Sequence, residues 1–239
     1  MARFCAPLHA LRDLNDAVDL RFAASSCTAT VMDSTHVSLS FVSWICSSED
    51  AAGDVTVSVK LSSLMTGLGL ASSPGDGFSI SMDSAESDTI TLILDEGDTT
   101  VNLKLLESDD ETMGAPSYDQ GLIVKCDTAR FRDVCKELSS LGDTVTFFSD
   151  SKNITLHTSG DIGTAKITLR PYSVSNPQRI GPLSISLRYL NSIMKANSIS
   201  NHVTLGMVDG MPIQVGLTSP DVSLNCFVAP KIEDEDPRA

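Results

Sequence analysis

The stretch LLESDDETMGAPSYDQG, Leu105–Gly121, lies near the middle of the chain and decides how the rest of the sequence divides. It carries four acidic residues between Glu107 and Glu111, turns apolar at Met113–Pro116, and fits neither a helical nor a strand period. Its composition is typical of a linker, and connections of this length are usually functional or disordered. We therefore expect it to join two similar halves and to serve as a docking surface for other proteins.

The bulk composition narrows the classes of protein. A chain of 239 residues with 41% hydrophobic residues can bury one large core or two medium ones. The net charge of −14 argues against nucleic-acid binding over the whole surface, so any DNA contact needs a local basic patch. No run approaches the ~18 apolar residues of a membrane span, and the N-terminus lacks a secretory-signal pattern.

The six cysteines are scattered, without a CxxC pair or a neighbouring His cluster. This spacing argues against a zinc site and against a disulfide framework. We expect reduced thiols that act as small hydrophobic residues, in an intracellular protein.

The two halves repeat one order of elements. In the first half, Leu8, Leu11 and Leu14 predict a short helix over 6–16, and residues 61–71 predict a second helix that two glycines weaken. In the second half, residues 128–141 form the clearest helical pattern, with Gly142 as a C-cap, and residues 183–197 enter another helix.

Short alternating runs between these helices predict antiparallel strands, and residues 171–182 predict a Pro-rich loop. The segment 28–45 predicts two strands with a turn at Asp33-Ser34. The fold class is therefore α+β, with two similar domains of antiparallel sheet and two helices each. The predicted division is an N-terminal domain over 1–104, a connecting loop over 105–121, a C-terminal domain over 122–231 and an acidic tail over 232–239.

No pattern of residues indicates catalysis. The four His lie in no HExxH or CxH spacing, and the chain lacks the phosphate-binding and nucleophile-elbow motifs. Asp33 and His36 are either an acid–base pair or a turn Asp and a strand-edge His, and we favour the second interpretation. We predict no enzymatic activity, no metal and no cofactor.

Basic residues gather on the predicted helices, away from their apolar stripes. They are Arg12, Arg132, Lys136, Arg188 and Lys195. One interpretation is an ordinary solvated face. The other is a local surface for phosphates, since the rest of the chain is so acidic.

Four segments resemble the eukaryotic sliding clamp family, proliferating cell nuclear antigen. They are MDSTHVSL (32–39), SLRYLNSIMKA (186–196), VTLGMVDGMPIQV (203–215) and FVAPKIEDED (227–236). Weaker similarity covers nearly the whole chain. The resemblance implies the DNA clamp fold, a head-to-tail homotrimeric ring around duplex DNA, and a nuclear, non-enzymatic processivity factor for replicative DNA polymerase. It also implies partners that dock through short peptides: polymerase, clamp loader, ligase and nuclease.

The resemblance assigns site residues by position. The DNA-facing residues would be Arg12, Lys125, Arg132, Lys136, Arg188 and Lys195. The partner-peptide pocket would comprise Met32, His36, Val37, Leu39, Met113, Ala115, Pro116, Pro212, Phe227, Val228, Ala229, Pro230 and Lys231. The trimer interface would join the strands Val101–Leu106 and Ile162–Arg170 of neighbouring protomers, through Val101, Leu103, Leu105, Ile162, Lys166, Ile167 and Leu169.

The chain also departs from the family pattern. Its first helix follows almost at once on the N-terminus, so the family's first strand is missing or displaced. Cys5, Ala6, Thr66 and Gly69 stand where the family has lysines, and the family's modified lysine falls at Ser151, beside Lys152. The alternative function is therefore a divergent clamp-like protein that binds partner peptides but does not encircle DNA alone.

Overall fold

The computed structural model describes residues 1–47, 54–73, 75, 77–84, 87–107, 114 and 121–231. The chain divides into two compact units. The first comprises Met1–Ala115 with Thr218–Asn225, and the second comprises Pro116–Leu217 with Cys226–Ala239.

The first unit builds two helices and two antiparallel sheets from its described residues. Its elements are α1 (Ala2–Leu11), β1 (Ala17–Ala23), β2 (Ser26–Met32), β3 (Ser38–Ile45), β4 (Val55–Lys60), α2 (Leu61–Leu68), β5 (Phe78–Ser81), β6 (Thr89–Leu94) and β7 (Thr99–Lys104). One sheet has the order β3-β2-β1-β4, and the other has the order β5-β6-β7. Burial alternates strictly along β2 and β3, so one face of that sheet lies on the core.

The first helix begins earlier than the leucine spacing predicts. It spans Ala2–Leu11 rather than 6–16, although Leu8, Leu11 and Leu14 are all buried as expected. The helix ends at Leu11 with Arg12 as its C-cap, and Leu14 N–H donates to the Leu11 carbonyl in a closing turn at 2.8 Å. The apolar stripe therefore runs through both helix and turn, which the spacing alone does not distinguish.

The second unit has two α-helices and a longer set of strands. Its elements are β8 (Leu122–Asp127), α3 (Thr128–Leu138), β9 (Thr144–Asp150), β10 (Ile154–Gly160), β11 (Gly163–Leu169), β12 (Ser173–Ser175), β13 (Arg179–Ser186), α4 (Leu187–Ile193), β14 (His202–Met207), β15 (Ile213–Thr218) and β16 (Val222–Val228). A 3-10 helix, Met194–Ile199, continues α4. The sheets contain the antiparallel orders β12-β8-β14-β15 and β11-β10-β9-β13, and the first residues of β16 are assigned to the first unit.

The predicted loop over 171–182 is wrong in part. Ser173–Ser175 forms the short strand β12, and β13 already begins at Arg179. The register of β13 against β9 shifts between Ile180 and Leu183, where Gly181 and Pro182 lie. Proline lacks an N–H for the ladder and is tolerated at such a bulge, so a Pro-containing segment still enters the sheet.

Gly142 does not cap α3, since the helix ends at Leu138 with Ser139 as its C-cap. Gly142 instead lies against β10, where an added Cβ would be 2.7 Å from the Ser159 carbonyl oxygen. Gly160 is tighter still, because its Cβ would be 1.9 Å from the Leu141 carbonyl oxygen. These glycines permit the close approach of two backbones.

The described residues confirm an α+β class with antiparallel sheets and two α-helices in each unit. The order helix, strands, helix, strands occurs in both units, while β8 has no counterpart before α1 in the described chain. Among the residues described, no helix is long and apolar enough to cross a membrane.

Candidate nucleic-acid and partner interfaces

The helices of the second unit carry a basic excess. The segments 128–138 and 187–199 hold five Arg or Lys residues and two acidic residues. The buried positions of α3 form a stripe through Phe131, Val134 and Leu138, so the exposed residue Lys136 points away from the core. Because α3 also packs against α4, the exposed Arg188 belongs to the same helical layer.

Two arginines of this layer are held by neighbours. The Arg132 guanidinium donates to the Asp133 carboxylate from Nε at 3.0 Å and from Nη2 at 2.8 Å, so much of its charge is balanced within the helix. Arg188 lies over the Tyr189 ring, 4.7 Å from its centroid, and donates to the Tyr189 hydroxyl at 2.7 Å. The two other predicted residues of this unit are also exposed, Lys125 on β8 and Lys195 on the 3-10 helix that continues α4.

The helices of the first unit carry fewer positive charges. Arg12 is exposed directly after α1, and α2 contains no charged residue. Arg3 forms an ion pair with Asp221, a residue of the same unit. The predicted DNA-facing residues therefore lie mostly in the second unit.

Asp33 organises the segment 32–39 of the first unit. Its carboxylate is buried and accepts hydrogen bonds from the backbone N–H of Thr35, Val37 and Ser38 at 3.2, 2.7 and 2.6 Å. His36 has a φ of +58°, and its N–H donates to the Asp33 carbonyl at 3.0 Å. Asp33 is thus the structural residue of a tight turn, which supports the turn interpretation over an acid–base pair.

This turn presents apolar side chains. Met32 and Leu39 are directly opposed in the β2–β3 register, and both are half-buried, as is Val37. His36 is exposed at the tip of the turn. These four residues, predicted to contact a partner peptide, form a continuous segment on the first unit.

The other predicted docking residues that the structure describes belong to the second unit. Phe227 and Val228 are buried at 4% and 0% exposure, so the side chains available at this end of the chain are those of Ala229, Pro230 and Lys231. The Lys231 N–H donates to the Ser184 carbonyl at 2.8 Å, which ties this segment to β13. Pro212 is half-buried just before β15. Met113, Ala115 and Pro116 lie outside the described residues.

The strands predicted for the trimer interface are both edge strands. β7 ends the order β5-β6-β7, and β11 ends the order β11-β10-β9-β13. Val101, Leu103, Leu105 and Ile167 are half-buried, Leu169 is buried, Lys166 is exposed, and Ile162 is 79% exposed. Edge strands of this kind offer unpaired backbone groups to another chain.

Four of the six thiols are buried as small core residues, those of Cys27, Cys126, Cys135 and Cys226, and the other two are half-buried. Burial raises the pKa of Cys27 and of Cys135 to about 12. Burial, followed by the nearby Asp127 carboxylate, raises the pKa of Cys126 to about 11. These thiols stay protonated and unreactive at neutral pH. Among the described residues, no group of His, Cys, Asp and Glu is arranged to hold a metal ion.

The second unit has a cavity of about 400 Å³, between the residues around the start of α3 and those at the end of β11, that sequence reasoning missed. Its lining includes Asp127, Arg130, Arg170 and Tyr172. Both arginines are exposed, and the Tyr172 ring meets the His202 ring edge-on at 5.1 Å between centroids. The sequence gives no sign that Arg130 and Arg170 lie close together. They line the same cavity only because of where β11 ends in the fold.

Known proteins resemble this chain over nearly its whole length. The family model for the proliferating cell nuclear antigen C-terminal domain matches residues 114–232. Proliferating cell nuclear antigen of Dictyostelium discoideum is 26% identical over 249 residues, covering 95% of this chain and 94% of the relative. The crystal structure of proliferating cellular nuclear antigen from Entamoeba histolytica superimposes with a TM-score of 0.87 at 20% identity, over 97% of this chain and 96% of that one, and so shares its fold.

Proposed function

Because this chain belongs to the proliferating cell nuclear antigen family as a divergent member, we propose that it is a DNA sliding clamp. Three copies would form a closed ring around duplex DNA, tether a replicative polymerase and recruit replication and repair proteins. Sliding clamps of this family are non-enzymatic scaffolds, which confirms the prediction that the chain is not an enzyme.

The basic layer of α3 and α4 is the observation that carries this proposal. Five of the 17 Lys and Arg residues of the chain lie in these short segments, although the net charge is −14. A ring holds DNA by topology, so weak contacts to phosphates suffice and still permit sliding. Three copies would carry three times −14, which repels DNA from every other surface.

The edge strands support ring closure. A head-to-tail contact is heterologous and closes only if the rotation between copies closes. Pairing β7 of one protomer with β11 of the next would extend two sheets into one and remove two exposed edges per protomer.

The Asp33 turn supports the docking part of the proposal. Met32, Val37 and Leu39 offer apolar surface for the aliphatic and aromatic anchors of a short helical peptide. The backbone of the peptide would continue along Ala229–Lys231 and the connecting loop. Polymerase, clamp loader, ligase and nuclease would carry such docking peptides. The protein would act in the nucleus.

The oligomeric mass in solution tests the ring. We expect light scattering at micromolar concentration to give three times 25.4 kDa, and clamp-loader-dependent stimulation of a polymerase on primed circular DNA. A stable monomer would contradict the ring. A trimer that binds peptides but never stimulates the polymerase would support the alternative, a clamp-like protein that does not encircle DNA alone, for which the uncharged α2 is the supporting observation.

A further inference from the structure

The two predicted interface edges carry opposite charge at one end. The turn between β6 and β7, residues 95–98, reads Asp-Glu-Gly-Asp, and Glu96 and Asp98 are exposed. Within the described chain, the carboxylates of Glu96 and Asp98 have no ion pair and no hydrogen bond. Asp95 is different, because its carboxylate accepts hydrogen bonds from Ser72 N–H at 2.9 Å and from the Thr99 hydroxyl at 3.1 Å.

The end of β11 is basic instead. Arg170 follows the strand directly, and Arg130 lines the same 400 Å³ cavity. Arg130 is only loosely paired, with 3.9 Å between its Nη1 and the Glu137 carboxylate, and both side chains are more than half exposed. This arginine pair therefore remains available to an external acidic group.

Exposed apolar side chains accompany both charged groups. Among the described residues, five large hydrophobic side chains are exposed, and two of them lie near these groups: Leu70, at 58%, near the acidic turn and Tyr172, at 67%, in the cavity lining beside the arginines. Leu70 precedes Ser72, which binds the acidic turn through Asp95. Tyr172 lies just after the end of β11. Such exposed apolar groups beside charges are typical of a protein interface.

Strand direction determines which ends would meet. Within the protomer, β7 pairs antiparallel with β6 and β11 pairs antiparallel with β10, and the odd-numbered residues of both β7 and β11 face inward. An antiparallel pair that keeps apolar side chains on one face places Thr99, the start of β7, near Leu169, the end of β11. The acidic turn of one protomer then lies beside Arg170 and Arg130 of the next.

We infer that this acidic turn and this arginine pair form an ionic contact between neighbouring copies, which fixes the direction and register of the β7–β11 pairing. Exposed ion pairs contribute little energy individually. Their larger effect is to steer association and to exclude wrong pairings, since like charges placed together are unfavourable. For chains of net charge −14, a complementary patch offsets their mutual repulsion at the point of contact. This inference rests on the proposed ring.

Charge reversal tests the contact on the full-length chain. Glu96→Arg with Asp98→Arg, and separately Arg130→Glu with Arg170→Glu, should each raise the concentration at which the trimer dissociates by at least about tenfold. The variant with all four changes should regain the wild-type midpoint, because the charges are exchanged rather than removed. The matched control is Asp88→Arg with Glu107→Arg, which changes two exposed acidic residues near the other end of β7 and should not weaken the trimer.

Circular dichroism on each variant establishes that the chain is folded, so that a lost trimer reports the interface. If the wild type is a trimer and none of the reversals changes the concentration at which it dissociates, the ionic contact is overturned. The ring proposal is then unaffected. Dissociation by the control pair but not by Glu96→Arg with Asp98→Arg would overturn the antiparallel arrangement. A monomeric wild type would contradict the ring itself.

Discussion

At the residue scale, Asp33 has the greatest effect on the predicted docking segment. Removing its carboxylate in Asp33→Ala leaves three backbone N–H groups without their acceptor in a turn whose first and last residues, Asp33 and Ser38, are buried. We expect a loss of about 2–3 kcal/mol in the free energy of unfolding. Urea unfolding followed by the fluorescence of Trp44, the single tryptophan, measures this loss in the same unit.

Asp83→Ala is the matched control, because Asp83 is exposed. It should change stability by no more than about 0.5 kcal/mol. Equal stability of the two variants would contradict the role of Asp33 in the turn.

Single residues show where sequence reasoning reaches its limit. The turn at Asp33 follows from the strand pattern, but its hydrogen bonds to Thr35, Val37 and Ser38 depend on the positive φ of His36. Phe227 was assigned to docking by resemblance, yet its side chain is 4% exposed. A position in a motif does not reveal whether a side chain faces the core or the partner, since both uses favour apolar residues.

At the element scale, α2 depends on a cap from outside the helix. Its N-cap residue, Lys60, makes no capping side-chain bond, and the Asp16 carboxylate accepts from Ser62 N–H and from the Ser62 hydroxyl, both at 2.8 Å. Asp16→Ala should therefore lower stability at neutral pH by about 1 kcal/mol.

This loss should depend on pH with a defined sign. The hydrogen bonds from the Ser62 backbone and side chain hold the pKa of Asp16 below its ordinary value of 3.8. The ionised carboxylate stabilises the fold fully above that value, and its contribution is lost as the pH falls through the lower, folded pKa. The difference between wild type and Asp16→Ala, measured by urea unfolding, should shrink below about pH 4.

Asp16→Asn is the informative control, since asparagine also caps helices well. It should keep most of the stability at neutral pH. A stability difference for Asp16→Ala that stays constant down to pH 2 would contradict the ionised cap.

Elements with one strong local signal were predictable, and those defined by packing were not. The apolar stripe of α3 gave the helix correctly from Thr128 onward. The sequence places the end of that helix too late, because Gly142 is not a cap. It is a glycine because its backbone lies close to β10, which is distant in sequence from α3. The sequence predicts a loop where β13 begins, since a bulge that accommodates Pro182 forms only against β9.

At the scale of the whole molecule, charge is divided between the helices and the remainder of the chain. The chain carries 31 acidic residues, yet 128–138 and 187–199 are net basic. Composition alone predicts a poor nucleic-acid binder, and helical spacing alone favours an ordinary solvated face over a phosphate-binding surface. Packing of α3 against α4 now joins their exposed residues into one layer, while its contact with DNA remains a prediction.

Reversing charge in this layer gives a direct test. In Lys136→Glu with Arg188→Glu, two exposed cations of α3 and α4 become anions. Each cation that neutralises a phosphate contributes to the salt-dependent affinity for DNA, and each reversal to an anion adds repulsion from the phosphates. We expect stimulation of a polymerase on primed circular DNA to fall at least about tenfold, while light scattering shows an unchanged trimer.

Lys152→Glu with Arg179→Glu makes the same change in net charge at exposed positions on the β9–β10 turn and on β13. If the helices face DNA, this control keeps near-normal stimulation, because it changes the overall charge without changing the helical layer. If both pairs reduce stimulation equally, total charge rather than the helical layer determines DNA engagement, and Lys136 and Arg188 are not DNA-facing residues.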